Sequence, residues 1–386
     1  GEVLNLVRAD RVAGSMRRGG QAPQVQDQVV DWLPRDGHHL LLSLPEPGST
    51  DDGVYKVNVD TGQRTRVKAP ERNVHRWLTD AQGRVRVAVQ LDDGTYQVRL
   101  ADVDGKAWRT LWSFRATEDR LVWPLGFGLD PNELYVRAYH DGRMAVFSVR
   151  VDDPALPRRL RLAHPKMDIY GSLLRSPATG EVIGLHGSGD DDDAADGPRT
   201  ELWDAAWRAE MKAVDAGLPR RDNLLLDISR DERFYLLHSE NSRQPAEYYV
   251  GDRKSGELAL LGGTYPDLDT ARLAGKQRVT IQARDGLPLD AYLTLPHGRG
   301  VGDGRAPLAM VLLPHGGPQG RDDAGFDAWT ELLADRGHAV LQVNFRGSAG
   351  YGHGFMAAGL KRWGLEMQDD LADGVAWAVA QRVADP

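Results

Sequence analysis

An all-β propeller followed by an α/β sheet is the fold class the sequence predicts, and three observations predict it. A unit of one turn and two strand-like runs recurs five times in the first two-thirds of the chain. That grammar stops near residue 270. Beyond it, short apolar runs alternate with segments of helical periodicity. The 386 residues, 41% hydrophobic and 27% charged, suit an ordinary globular chain of two or three domains and exclude disordered, collagen-like and coiled-coil classes.

Composition removes several function classes. The longest apolar runs, such as Leu308–Leu313, are strand-sized and fall well short of the roughly 18 residues a membrane-spanning helix needs, so no membrane is expected as a partner. The net charge is −8, from 48 basic and 56 acidic residues, and the basic residues are scattered. No basic stripe is available to neutralise a phosphate backbone, so no nucleic acid is expected either. Arginine outnumbers lysine 40 to 8, which we read as genome composition rather than function. With zero cysteines there is no disulfide framework, thiolate metal site or cysteine nucleophile. The start, Gly1-Glu-Val-Leu-Asn-Leu6, lacks the pattern of a signal peptide. Cytoplasmic and periplasmic locations both stay open.

The repeat is read from turns and alternation. Asp36-Gly37 leads into His39–Leu44 and a second run from Gly53 to Asp60. Ala81-Gln-Gly83 leads into Arg84–Leu91 and a run from Thr95 to Asp104. Asp130-Pro-Asn132 precedes Leu134–Tyr139 and Met144–Asp152. Ala178-Thr-Gly180 precedes Glu181–His186 and, after an insertion, Glu201-Leu-Trp203. Ser229-Arg-Asp231 precedes Phe234–Ser239 and Ala246–Asp252. The unit recurs about every 45 to 52 residues. Four short antiparallel strands at that period describe a propeller blade; an irregular β-sandwich is the competing reading. Residues 1–28 read as the tail of an earlier blade, so at least five blades are expected over residues 1–270, beginning inside the propeller.

Two segments depart from the repeat. The acidic run from Gly187 to Gly197 reads as a solvated loop, since it lacks the alternating ligands and terminal bidentate Glu of a calcium site. Leu202–Ala216, with Trp203, Trp207 and Met211 at i, i+4 and i+8, reads as an amphipathic helix whose stripe packs into a core. No metal and no cofactor is called for anywhere in the chain.

Residues 271–386 read as the N-terminal part of an α/β domain. Arg278–Ala283 and Leu289–Leu295 are strands about an Arg284-Asp-Gly286 turn. Leu308–Leu313 and Ala339–Asn344 are continuous apolar runs, as expected of strands buried on both faces. Ala324–Arg336, stopped by Gly337, and Leu365–Gln381 are helices.

The chemistry sits at the ends of those strands. Pro314-His315-Gly316-Gly317-Pro318 follows one directly. In α/β-hydrolases a loop in this place can donate a backbone N–H to the oxyanion of a tetrahedral intermediate, and glycines let the backbone approach the reacting carbonyl. Taken alone it could equally be a plain turn.

Its companions are Asn344-Phe-Arg-Gly-Ser-Ala-Gly-Tyr-Gly352 after the next strand, then Trp363-Gly364 and Met367-Gln-Asp-Asp-Leu371. In order and spacing this series resembles the catalytic domain of the prolyl oligopeptidase family of serine peptidases, most nearly its acylaminoacyl-peptidase and dipeptidyl-peptidase branch. The resemblance covers residues 278–386 closely, and that family also carries a propeller. It implies an α/β-hydrolase domain acting on short peptides, with the propeller screening access to the site.

The resemblance also implies roles. One oxyanion donor follows the nucleophile, and the second is either the hydroxyl of Tyr351 or the backbone N–H of Gly317. Tyr351 packing beneath the site is the bland alternative. Arg346 braces its loop or contacts a substrate carbonyl. His315 is structural, because the triad order Ser, Asp, His places the histidine last. No serine here sits in a G-x-S-x-G pattern; Ser348 has Arg346 where the first glycine belongs. The triad is therefore expected beyond residue 386, and the 386-residue chain alone is expected to be inactive. Two other readings stand beside the peptidase: a non-catalytic propeller-based binding protein and an inactive peptidase homologue. A homo-oligomer is left open.

Overall fold

A computed structural model describes Leu6 and residues 28–45, 51–188 and 199–386. The tail expected over residues 1–28 falls almost wholly outside the described residues, as does most of the acidic run at 187–197. The chain packs as two compact units, one of residues up to Ala138 with Phe147–Leu160, the other of Tyr139–Val146 with Arg161–Pro386.

Five small antiparallel meanders stand where the five sequence units were read. The first is β1 (Val29–Asp31), β2 (His39–Pro45), β3 (Asp52–Asn58) and β4 (Arg64–Lys68). The second is β5 (Val74–Thr79), β6 (Val85–Asp92), β7 (Thr95–Ala101) and β8 (Trp108–Arg115). The third is β9 (Val122–Phe127), β10 (Glu133–His140), β11 (Arg143–Arg150) and β12 (Arg158–Leu162). The fourth has three strands, β13 (Ser172–Arg175), β14 (Val182–Ser188) and β15 (Arg199–Leu202). After helix α1 (Ala205–Gly217) the fifth follows, β16 (Asp222–Ile228), β17 (Phe234–Asn241), β18 (Gln244–Asp252) and β19 (Glu257–Gly263).

Burial follows side-chain chemistry in the first and third meanders. β2 (HLLLSLP) is buried along nearly its whole length, whereas β4 (RTRVK) is exposed; β11 and β12 repeat the contrast. In these two meanders apolar middle strands hold the core and basic last strands face water, whereas β19 (ELALLGG) is exposed although apolar.

Helix α1 begins later than the sequence suggests. Leu202 is the last residue of β15, and Asp204 caps the helix by accepting from the backbone N–H of Trp207 at 2.9 Å. The buried stripe is therefore Trp207, Met211 and Val214, packed with Leu225, Tyr235 and Leu237, and Trp203 lies outside it. The stripe is core, as expected.

The remaining residues form a mixed sheet in the order β20-β21-β23-β22, from β20 (Lys276–Gln282), β21 (Pro288–Thr294), β22 (Met310–Leu312) and β23 (Ala339–Val343). β20, β21 and β23 pair antiparallel in turn, and β22 pairs parallel to β23. β23 is buried throughout because it is central. β22 is shorter than the expected Leu308–Leu313 and only half-buried, since it stands at the end of the sheet order. Leu308 instead pairs with Ala384 in a parallel bridge.

Three helices accompany the sheet, α2 (Ala328–Asp335), α3 (His353–Ala358) and α4 (Glu366–Ala380). α2 starts four residues after the expected Ala324, because Asp327 caps it through the N–H groups of Trp329 and Thr330. α3 is absent from the sequence expectation: six residues carry too little periodicity to signal it. The core unites Ile281, Leu289, Leu293, Leu341, Val343, Met367 and Leu371.

Candidate active site

β23 delivers its last residue, Val343, into the core, so Asn344 opens a loop directly above buried backbone. Asn344 is fully buried and its amide is fully engaged. Its Oδ1 accepts from the Asp322 N–H at 2.8 Å, while its Nδ2 donates to the Asp322 carbonyl at 3.0 Å and to the Tyr351 hydroxyl at 2.8 Å. The Asp322 N–H can only donate, so it decides which end of the amide faces Tyr351. The phenol oxygen is thereby an acceptor toward Asn344, and its own proton is left to donate elsewhere. Burial pushes the Tyr351 phenol up, so it stays a neutral donor at ordinary pH. The Arg321 guanidinium lies 5.4 Å from its ring centroid, and Phe355 packs against it at 5.0 Å.

The two glycine-bearing loops are tied together by His315. Its Nε2 lies 2.8 Å from Ser348 Oγ, which donates to the Phe345 carbonyl at 2.6 Å; the imidazole is therefore the donor in that pair. The His315 ring stacks on Phe345, 4.5 Å between centroids and 13° between planes. A further bond joins the loops, from the Ala349 N–H to the Gly320 carbonyl at 2.9 Å. Ser348 is completely buried and bonded on both sides.

Gly317 sits on the exposed side of the first loop at φ +135°, where an added Cβ would lie 2.6 Å from the Gly320 nitrogen. Only glycine suits that backbone. Gly359 is needed for another reason, since a Cβ there would stand 2.5 Å from the Cα of Gly347 as the loop crosses the end of α3.

Arg346 is held by two carboxylates. Its Nε and one Nη grip the two oxygens of Asp370 at 2.8 and 2.6 Å, and its other Nη reaches Asp285 at 2.8 Å. Asp370 also accepts from the Arg346 backbone N–H. The pairing holds the Arg346 guanidinium well above its usual range, and the hydrogen bond from Arg346 holds the Asp285 carboxyl below the usual carboxylate range. Asp370 belongs to the quoted MQDDL run and Asp285 to the predicted turn, but only the fold brings them to one guanidinium.

Asp168 was not legible. It lies between β12 and β13, in a stretch with no motif, yet it clamps the tyrosine loop within the second unit. Its backbone N–H donates to the Gly350 carbonyl at 2.8 Å, and its carboxylate accepts from the N–H groups of Gly352 at 3.0 Å and Met144 at 2.7 Å. The His353 N–H adds a bond to the Gly142 carbonyl at 2.8 Å. Tyr351 is thus fixed on both sides, by the Asp168 clamp and by Asn344. Asp322, which orients Asn344, carries a carboxyl pushed up by burial.

The fold and this pair of loops define an all-β propeller followed by the first part of an α/β-hydrolase sheet, and solved structures bear out that class. A puromycin-hydrolysing peptidase of Mycobacterium tuberculosis superposes with a TM-score of 0.64 at 19% identity, covering 93% of this chain and 56% of that one. Prolyl oligopeptidase B of Galerina marginata gives 0.66 at 13%, covering 93% and 50%. In sequence, dipeptidyl aminopeptidase BIII of Pseudoxanthomonas mexicana is 31% identical over 99% of this chain and 55% of its own length. The family model described as the prolyl oligopeptidase family matches residues 324–386; a model for a domain of unknown function matches residues 60–126. These matches liken the chain to peptidases of the prolyl oligopeptidase family. The chain spans about half the length of these relatives.

Proposed function

We propose that residues 1–270 supply the propeller, and residues 271–386 the opening of the catalytic domain, of a serine peptidase acting on short peptides. The observation that carries the reading is the Tyr351 hydroxyl, which accepts from Asn344 and keeps its proton for a substrate oxygen. In acyl transfer, attack on the scissile carbonyl places negative charge on its oxygen, and a prearranged donor stabilises that charge where it develops. Tyr351 is one such donor and the exposed Gly317 N–H is the other candidate. Arg346 serves substrate binding through the loop it holds, by way of Asp370 and Asp285. The nucleophilic serine and its Asp and His come from sequence following residue 386. Acylaminoacyl, dipeptidyl and oligopeptidase specificities are all compatible with this half of the site.

The test is direct. The full-length gene product should label with a fluorophosphonate probe and turn over an aminoacyl or acyl-aminoacyl chromogenic peptide, while the 386-residue chain alone should do neither. A full-length product that binds peptides but fails to label would replace the peptidase with a binding protein or an inactive homologue.

A further inference from the structure

The second unit contains a cavity of about 1070 Å³ in whose lining cationic side chains outnumber anionic ones. Six of its side chains are basic, Lys166, Arg220, Arg221, Arg243, Lys276 and Arg278, against two carboxylates, Asp222 and Asp290. Several of these charges are satisfied locally: Arg278 pairs with Asp290 at 2.7 Å, Arg221 with Glu247, and Lys276 donates to the Asp323 carbonyl at 2.9 Å.

Arg220 and Arg243 are different. Both are exposed, and neither has a carboxylate partner among the described residues. Arg220 is held in the left-handed backbone region at φ +61°, where its carbonyl accepts from Asn241 at 2.7 Å. The Arg243 stem lies across Gly275, so closely that a Cβ there would come within 2.6 Å of it, and its Nε donates to the Ala274 carbonyl at 3.0 Å. That anchor fixes the stem of Arg243, which lines the cavity.

A guanidinium presents a planar pair of donors that matches a carboxylate, and the free α-carboxylate of a short peptide is the anion a peptidase site meets most often. We infer that this cavity binds a peptide carboxylate, through Arg220 and Arg243, and so selects for short peptides with an anionic end. The inference rests on the peptidase reading for its choice of ligand, but its test does not require catalysis.

Isothermal titration of the 386-residue chain would compare three peptides: tetra-alanine with a free C-terminus, the same peptide as its C-terminal amide, and Ala-Ala-Ala-Asp amide. The free acid should bind on the order of tenfold more tightly than the tetra-alanine amide, and the preference should shrink as salt is raised. Arg220→Gln and Arg243→Gln should each remove about twofold to fivefold of it, with Arg220→Lys restoring part. Arg220→Gln should leave the melting temperature unchanged, whereas Arg243→Gln also loses the Nε bond to Ala274 and should lower it slightly. Tight binding of the aspartate amide would assign the site to any peptide carboxylate, and weak binding would assign it to the C-terminal one. Equal affinity for all three peptides, no binding at all, or a preference untouched by both glutamine variants would overturn the inference. Equal affinity would leave the peptidase reading standing, since fluorophosphonate labelling of the full-length product tests that reading separately.

Discussion

Replacing Tyr351 with Phe removes one oxygen and keeps the ring against Phe355 and beneath Arg321. Two effects follow, and they are separable. The first is structural: Asn344 Nδ2 loses one of its two acceptors, and because Asn344 is fully buried the orphaned N–H costs about 1–3 kcal/mol of stability. The second is catalytic. A hydroxyl that donates to the developing oxyanion acts in the transition state more than in the ground state, so kcat should fall on the order of 10²–10³, about 3–4 kcal/mol, with KM little changed. The assay is kcat and KM of the full-length product on a small chromogenic peptide, beside a melting curve. Because burial pushes the phenol up, no loss of activity from tyrosine ionisation is expected near neutral pH. A lowered melting temperature with unchanged kcat would refute the catalytic role of Tyr351 and leave the Gly317 N–H as donor.

Asp370→Asn should cost about 3–5 kcal/mol in urea unfolding, because it leaves the buried Arg346 guanidinium facing one carboxylate instead of two; a loss below about 1 kcal/mol would contradict the pairing. Gly359→Ala should destabilise by about 1–3 kcal/mol, since its methyl would meet the Gly347 Cα and the backbone must move, and an unchanged midpoint would show that the crossing has slack. Asp285 is held below its usual range when folded, so its contribution is present above the unfolded carboxylate value and is lost as pH falls through the lower folded value. Asp285→Asn should therefore flatten the acid limb of the stability profile, and an identical limb in both proteins would sink this assignment.

Much of this molecule is written locally. The five meanders follow from turn residues spaced along the chain and from alternation within each run, because a strand's faces are set by neighbours two residues apart. The strand-loop sequences carrying Gly317, Arg346 and Tyr351 were equally legible, since glycines directly after apolar runs mark tight loops at strand ends. Boundaries were less so. α1 and α2 start where Asp204 and Asp327 can cap them, and apolar spacing says nothing of a cap. β22 proved half-buried because burial depends on a strand's place in the sheet, which no run of apolar residues encodes. Only the tertiary structure put Asp168 under the backbone of Gly352, Asp285 and Asp370 around Arg346, and Arg220 and Arg243 on one cavity. The first two are electrostatic contacts between residues far apart in sequence, and the third is a shared cavity lining. Chain folding brings such groups within hydrogen-bond range at no sequence period, so composition and spacing cannot announce them.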